Sequence, residues 1–313
     1  MRYWKAVSVS AGWWRKLREG PRMSSETNVG DRLQIAIPSK GRLQEGAIEL
    51  LRAAGLRFRV SGRRLFADCS ESGTRIIFCN TADIPVLVER GVVDLGITGS
   101  DQVQEKRVRV ERHRSLGFGR CHLAVAVHKD ASYSHVRDLR GKVIGAKFVR
   151  LAEDWLKDQG VEDAQVIELQ GAVEVMVLLG LVDAIVEIVE TGSSLVENDL
   201  VELDRVLDAE AILIGHDPAR NSRLCERLLR RIDGVLAARR YSLLEYNCPR
   251  DSIEEASRVT PGFSSPTVQP LGDTGWLSVK VMVEKETVHG VVDALESIGC
   301  VAILETDLRS ARL

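Results

Sequence analysis

The 313-residue chain has no apolar stretch long enough to cross a bilayer. Its longest apolar run, Val175 to Val182, is interrupted by Gly180 and followed by Asp183 and Glu187, whereas a membrane helix needs about 20 apolar residues. The chain also lacks an excess of either charge. Forty-three Lys and Arg stand against 45 Asp and Glu, a net of −2, which removes the broad basic surface that nucleic acid or an anionic membrane requires. A small anionic substrate, held locally, stays open. The six cysteines, at 69, 79, 121, 225, 248 and 300, form no CxxC pair, so no zinc or dithiol motif is present, and free thiols in a reducing cytoplasm are expected. No internal repeat or low-complexity tract occurs.

Residues 1–31 are expected to form a basic extension without regular structure. Trp4, Trp13 and Trp14 sit there among Arg2, Lys5, Arg15, Lys16, Arg18 and Arg22. Ala6 to Trp14 is too weakly apolar for a signal peptide, and Arg15-Lys16-Leu17-Arg18 supplies charge in place of a small-residue cleavage site. Met23 opens a polar run and is an alternative start.

From Arg32 short β-branched runs alternate with helical segments, the pattern of a parallel sheet with crossover helices, and two α/β lobes follow from it. The strand Leu33 to Ile37 ends in Pro38-Ser39-Lys40-Gly41-Arg42. Leu43, Ala47, Leu50, Leu51 and Ala54 then recur at helical spacing until Gly55. A helix follows Asp83-Ile84-Pro85. The strand Asp94 to Thr98 breaks at Gly99 and puts Asp101 in a carboxyl-end loop, where open α/β sheets bind ligands. The second lobe is expected to hold strands at Leu123 to Val127, Lys142 to Ala146, Ala164 to Leu169 and Asp183 to Val189, with helices at Ala152 to Gln159, Glu174 to Leu181 and Leu195 to Asn198. The first lobe is assigned 32–119 with 213–240, and the second 120–212. Residues 241–313 read as β, α, β, β, α, β, the ferredoxin-like split βαβ order, which by itself names no function.

The sharpest chemical signal is Asp183 through Leu195, an acidic strand that ends in Thr191-Gly192-Ser193-Ser194 before a helix. Gly192 admits close backbone approach, the hydroxyls and helix N–H groups suit phosphate oxygens, and Glu187 and Glu190 suit sugar hydroxyls or a magnesium ion. Taken alone, such a strand, turn and helix also occur in many proteins that bind nothing. Lys40-Gly41-Arg42, at a strand-to-helix turn, could grip a polyphosphate or could be a solvated basic loop. Gly117-Phe118-Gly119-Arg120-Cys121 reads as an interdomain turn or a close-approach loop, with the plain turn preferred. Cys121, His122 and His128 lack metal or nucleophile spacing and are expected to be structural.

Together these stretches resemble the long form of ATP phosphoribosyltransferase, in register from about Arg32 to Leu313. The matching residues are Ile35 to Leu43, Gly91 to Gly99, Leu116 to Gly119, Gly171 to Glu174 and Asp183 to Leu195. Tyr246 to Arg250, Thr260 to Gly262, Ser265 to Thr267 and Ile298 to Leu304 match the family's regulatory domain. The resemblance implies a core like type II periplasmic binding proteins and a C-terminal ACT-like domain. It implies an enzyme that joins ATP to phosphoribosyl pyrophosphate, with magnesium, in the first step of histidine biosynthesis. By the same resemblance Lys40, Gly41, Arg42 and Asp101 serve ATP, while Glu187, Glu190, Thr191, Gly192, Ser193, Ser194 and Leu195 hold phosphoribosyl pyrophosphate. Lys40, Arg42 and Glu187 act in catalysis. Asn247, Phe263, Thr267, Met282 and Ala302 match a site for inhibitory histidine between subunits of a dimer or hexamer. No dedicated metal ligands are assigned; magnesium is expected on the substrate phosphates.

The chain departs from close relatives at several positions. Asn80 and Ala82 stand where an arginine and often a lysine are usual; Ala146, Val149 and Glu153 replace threonine, proline and arginine; Asn247 replaces aspartate and Ser194 threonine. Two cations are thus missing. The rival from another class is a catalytically impaired paralogue that binds nucleotide or histidine to regulate a partner. An exported solute-binding protein ranks last, since it explains neither Lys40-Gly41-Arg42 nor the terminal unit.

Overall fold

A computed structural model describes residues 32–60, 64–70, 73–171, 173–216, 222–272 and 275–312; the basic extension 1–31 lies outside them. Along the chain, β1 (Leu33–Pro38) and α1 (Arg42–Ala53) lead through β2 (Phe66–Asp68), β3 (Thr74–Cys79), α2 (Ile84–Glu89), β4 (Leu95–Gly99) and α3 (Ser100–Lys106) to β5 (Glu111–Ser115). The next stretch holds β6 (Cys121–His128), β7 (Val143–Ala146), α4 (Val149–Asp158), β8 (Gln165–Glu168), α5 (Val173–Leu178), β9 (Ala184–Val189), α6 (Ser193–Glu197) and β10 (Leu200–Ala209). Then come β11 (Ala211–Gly215), α7 (Ser222–Arg240), β12 (Tyr241–Pro249), α8 (Ile253–Val259), β13 (Thr267–Pro270), β14 (Trp276–Glu284), α9 (Val288–Ile298) and β15 (Val301–Asp307).

Three sheets result, in the orders β2-β3-β1-β4-β11-β5, β10-β6-β9-β7-β8 and β13-β14-β12-β15. In the first two, three parallel strands are flanked by antiparallel ones. The chain crosses from the first sheet to the second after β5 and returns at β11. The return strand begins at Ala211, two residues before the segment 213–240 assigned from sequence.

Strand β1 is buried on both faces, with Leu33, Ile35, Ala36 and Ile37 at most 1% exposed, as its largely apolar sequence, broken only by Gln34, suits a central parallel strand. Helix α1 lays Leu43, Ala47, Leu50 and Leu51 on one side of this sheet. Its end is closed by Gly55 N–H on Arg52 O and Leu56 N–H on Leu51 O, both 2.9 Å, the Schellman pattern. Helix α7 joins the same core through Leu228, Ile232 and Val235 and runs directly into β12 with no residue between them.

The third sheet is antiparallel throughout, and its β, α, β, β, α, β order is that expected from sequence. Leu244, Tyr246 and Cys248 of β12 pack with Val279, Val281 and Val283 of β14, and with Ala256 and Leu295 of the two helices. Buried Tyr246 and Thr260 satisfy each other at 2.7 Å. Since Thr260 Oγ1 also donates to Ala256 O, Tyr246 is the donor of that pair.

Candidate active site

The acidic strand β9 sits in the middle of the second sheet, and its end is held by Val189 and Leu195, both buried in one cluster with Ile185 and Leu200. Between those anchors the backbone turns sharply at Gly192, whose φ of 78° is left-handed and costs glycine nothing. Helix α6 starts at Ser193, two residues earlier than its sequence suggests, and lasts only five residues. Its macrodipole is correspondingly small, so the unpaired first-turn N–H groups and the hydroxyls are the donors that count. Thr191 Oγ1 and Ser193 Oγ lie 3.0 Å apart and both residues are exposed. Ser194 differs: its hydroxyl donates to Glu174 Oε1 at 2.6 Å, so its proton is already committed. The expected trio of hydroxyl donors is therefore a pair.

Glu187 is half-buried and accepts the N–H of Ile188 at 2.8 Å. Burial raises its pKa; the Ile188 bond and the charge of Lys147 oppose the rise, and Glu174 adds to it. Lys147 and Glu174 were not singled out from sequence. A usable signal existed for the lysine, because it follows the last residue of β7, whose partner in parallel register is Val186, one residue before Glu187.

Arg42 brings the first lobe to this strand end. It is the first residue of α1, after Gly41, and its side chain reaches Glu190 Oε1 through Nε at 3.1 Å and Cys121 Sγ through Nη2 at 2.9 Å. Its Nη1 is buried without a partner. A cation in a helix's first turn opposes the dipole, and here the Glu190 carboxylate offsets that cost. Cys121, the first residue of β6, has its thiol pKa pushed up by burial, while Arg42 pulls it down. The thiol is thus a partner for a guanidinium rather than an isolated core side chain.

Asp101 lies in the first turn of α3 and not in the expected loop, because α3 begins at Ser100 directly after β4. It is 3% exposed. Gln102 Nε2 donates to its Oδ2 at 3.2 Å. Burial raises its pKa, and the Gln102 N–H and the Arg42 charge work against that rise. Arg42, Cys121, Glu190 and Asp101 thus form one electrostatic group spanning both sheets. Lys40 is exposed just ahead of it.

Gly119 belongs to the same corner as a close-approach position, since a Cβ there would strike Leu43 Cδ2 and one at Gly46 would strike the Phe118 ring. The segment is the interdomain turn preferred from sequence, between β5 and β6, and Gly119 adds the close contact to it. His122 Nε2 faces Glu202 Oε2 at 2.9 Å, and His128 Nδ1 accepts the Asp130 N–H at 3.2 Å. Asn80 Oδ1 accepts the Ala82 N–H at 3.3 Å, in a turn that Asp83 N–H closes on Asn80 O. Among the described residues no group of three or more His, Cys, Asp or Glu could hold a metal ion, and no helix is long and apolar enough to cross a membrane.

In the third sheet the five residues matched to histidine binding fall apart into separate places. Asn247 pairs with Val301, beside left-handed Ala302 (φ 51°). Met282 pairs with Leu243 and Thr267 with Lys280, while exposed Phe263 meets Tyr241 edge-on at 4.9 Å. Asn247 and the Met282 partner Leu243 are four residues apart on β12, or about 13 Å at ~3.3 Å per residue.

The model of the ATP phosphoribosyltransferase family matches residues 80–234, and that of the HisG C-terminal domain matches 238–310. The ATP phosphoribosyltransferase of Rhodopirellula baltica is 43% identical over 281 residues, covering 90% of this chain and 94% of that protein. That of Nocardia farcinica is 38% identical over 282 residues, covering 90% and 99%. Among solved structures, a chain of the ATP phosphoribosyl transferase (HisG:HisZ) complex from Thermotoga maritima aligns with a TM-score of 0.55 at 26% identity, over 64% of this chain and 98% of that one.

Proposed function

Because the chain belongs to the ATP phosphoribosyltransferase family and so joins ATP to phosphoribosyl pyrophosphate at the head of histidine biosynthesis, we propose that this reaction runs between its two lobes, across the group spanned by Arg42. The observation that carries the reading is the pair Arg42–Glu190, which joins the Lys40-Gly41-Arg42 turn to the hydroxyl cradle at one point.

In this reading the 5-phosphate of the sugar rests on Thr191, Gly192, Ser193 and the first N–H groups of α6, with Ser194 and Leu195 shaping the turn. Glu187 and Glu190 accept hydrogen bonds from ribose hydroxyls. Lys40, Gly41, Arg42 and Asp101 line the nucleotide side. Adenine N1 forms a bond to the anomeric carbon from the face opposite the leaving group; the carbon–oxygen bond breaks and its electron pair leaves on pyrophosphate. Negative charge gathers on the departing group, and Arg42 and Lys40 are the cations that meet it, Arg42 exchanging Glu190 for a phosphate oxygen. Positioning and charge supply the acceleration. Magnesium arrives as the counter-ion of the substrate phosphates; among the described residues no group of three or more His, Cys, Asp or Glu offers it a site of its own.

Histidine is read as the feedback inhibitor, held between two copies of the regulatory domain in a homo-oligomer, dimer or hexamer. The 13 Å gap supports it, since a single chain offers either Asn247 with Ala302 or Met282 with Phe263 to one small ligand, and a second copy supplies the other half. A cytoplasmic setting fits the free thiols. Mixing the protein with ATP, phosphoribosyl pyrophosphate and magnesium, and following the ultraviolet absorbance of phosphoribosyl-ATP with and without histidine, tests both parts. Product that histidine does not suppress overturns the inhibitory site alone; no product overturns the catalytic assignment.

A further inference from the structure

A separate cavity lies away from this site. It is a concavity of about 730 Å³ at the other end of α1, lined by Arg52, Arg57, Arg59, Arg64, Phe58 and Phe66. A second hollow shares Arg57 with it and adds Arg231 of α7. Arg42 and Arg52 are ten residues apart on α1, about 15 Å at ~1.5 Å per residue, so the cavity is separate from the catalytic cluster.

Four arginines line this cavity and a fifth, Arg231, lines its neighbour, on a chain whose overall charge is −2. Among the described lining residues the one carboxylate is Asp68, which Arg75 engages at 2.7 Å. Arg52, Arg59 and Arg64 have no carboxylate partner among the described residues. Arg52 lies over Phe58 at 5.6 Å and Arg75 over Phe66 at 4.9 Å, which holds guanidinium planes against ring faces. The partial negative charge at the end of α1 opposes an anion, but its last carbonyls are consumed by the Gly55 and Leu56 N–H groups, so the arginines dominate the field. Guanidinium forks match phosphate oxygens in pairs, and several of them in one concavity call for several phosphates close together. We propose that this cavity binds a small anion bearing a polyphosphate chain, at a site distinct from the one that binds the reactants.

The polyphosphate could come alone or on a nucleoside, and inorganic tripolyphosphate and UTP are the two probes. Titration calorimetry of the full chain in low salt measures each, for the parent, for Arg59→Glu with Arg64→Glu, for Arg59→Gln with Arg64→Gln, and for Lys40→Ala. Both arginine pairs should weaken tripolyphosphate binding at least tenfold without lowering Tm, since neither arginine is paired in the fold, and Lys40→Ala should keep that binding. UTP binding tighter than tripolyphosphate, with the same loss in the variants, assigns a nucleoside polyphosphate with its base on the phenylalanines; equal binding assigns the bare chain. Binding unchanged in both arginine pairs, or abolished by Lys40→Ala alone, would mean that the anion occupies only the catalytic cleft, and the proposal falls. Because the test reads binding and not turnover, it stands or falls independently of the catalytic assignment.

Discussion

Replacing Thr191 and Ser193 together by alanine tests the phosphate cradle with little structural disturbance. Both residues are exposed, and in the free protein their hydroxyls touch only each other at 3.0 Å and solvent, so the variant should melt within a degree or two of the parent. A hydrogen bond to a charged acceptor is worth about 1.5–3 kcal/mol. The lower end applies here, because exposed hydroxyls give up water and their mutual bond when phosphate arrives. Two such bonds amount to about 3 kcal/mol, and at ~1.4 kcal/mol per tenfold this is roughly a 150-fold loss of affinity. The assay is the KM for phosphoribosyl pyrophosphate in the absorbance measurement, alongside the Kd for histidine by calorimetry. Phosphoribosyl pyrophosphate should weaken by about two orders of magnitude while histidine binding stays constant. A change of less than about threefold, or parallel losses for both ligands, would refute the placing of the sugar phosphate on these hydroxyls. Ser194→Ala serves as the contrast: since its proton is committed to Glu174, it should cost much less than either neighbour.

Three further outcomes follow from the same geometry. Gly119→Ala puts a methyl against Leu43 at a left-handed φ of 63°; left-handed strain of about 1–2 kcal/mol and overpacking of about 1–3 kcal/mol should lower urea stability by roughly 2–5 kcal/mol. Asp101 has a folded pKa raised by burial, so its contribution to stability is full below the ordinary value of 3.8 and is lost as pH rises through the higher folded value. Asp101→Asn should therefore gain stability relative to the parent above that window and lose the gain at acid pH, which thermal melts across pH will read, while binding ATP less well. Glu190→Gln breaks an ion pair whose side chains are 25% and 53% exposed; a pair so wetted is worth about 0–1 kcal/mol, and a shift in the urea midpoint larger than that would show Glu190 to be structural.

The parts of this molecule that were legible in its sequence are those where one face is apolar. Leu43, Ala47, Leu50 and Leu51 announced α1, Gly55 ended it, and the terminal βαββαβ order could be read strand by strand. Strand β5 could not be read. Glu111-Arg112-His113-Arg114-Ser115 contains no apolar residue, and it is a strand only because it pairs with β11, a partner almost a hundred residues away. The three-residue β2 likewise exists through β3. At the site, the turn of glycine and hydroxyls was legible because its chemistry is local. The Arg42 contacts were not, since Cys121 and Glu190 are 79 and 148 positions downstream and only the crossing of the chain between sheets brings them in. The Ser194 proton was misjudged for the same reason: its acceptor, Glu174, sits on another helix.

The junction at Arg240 and Tyr241 fixes how the terminal domain is tied to the reacting groups. Helix α7 shares its core with α1 and passes into β12 without a spacer, so the terminal domain is welded to the lobe that carries Arg42. If the proposed histidine site acts on the proposed reaction, a twist of β12 is delivered as movement of one lobe against the other, and a flexible linker spliced in after Arg240 should uncouple histidine binding from turnover while leaving each intact.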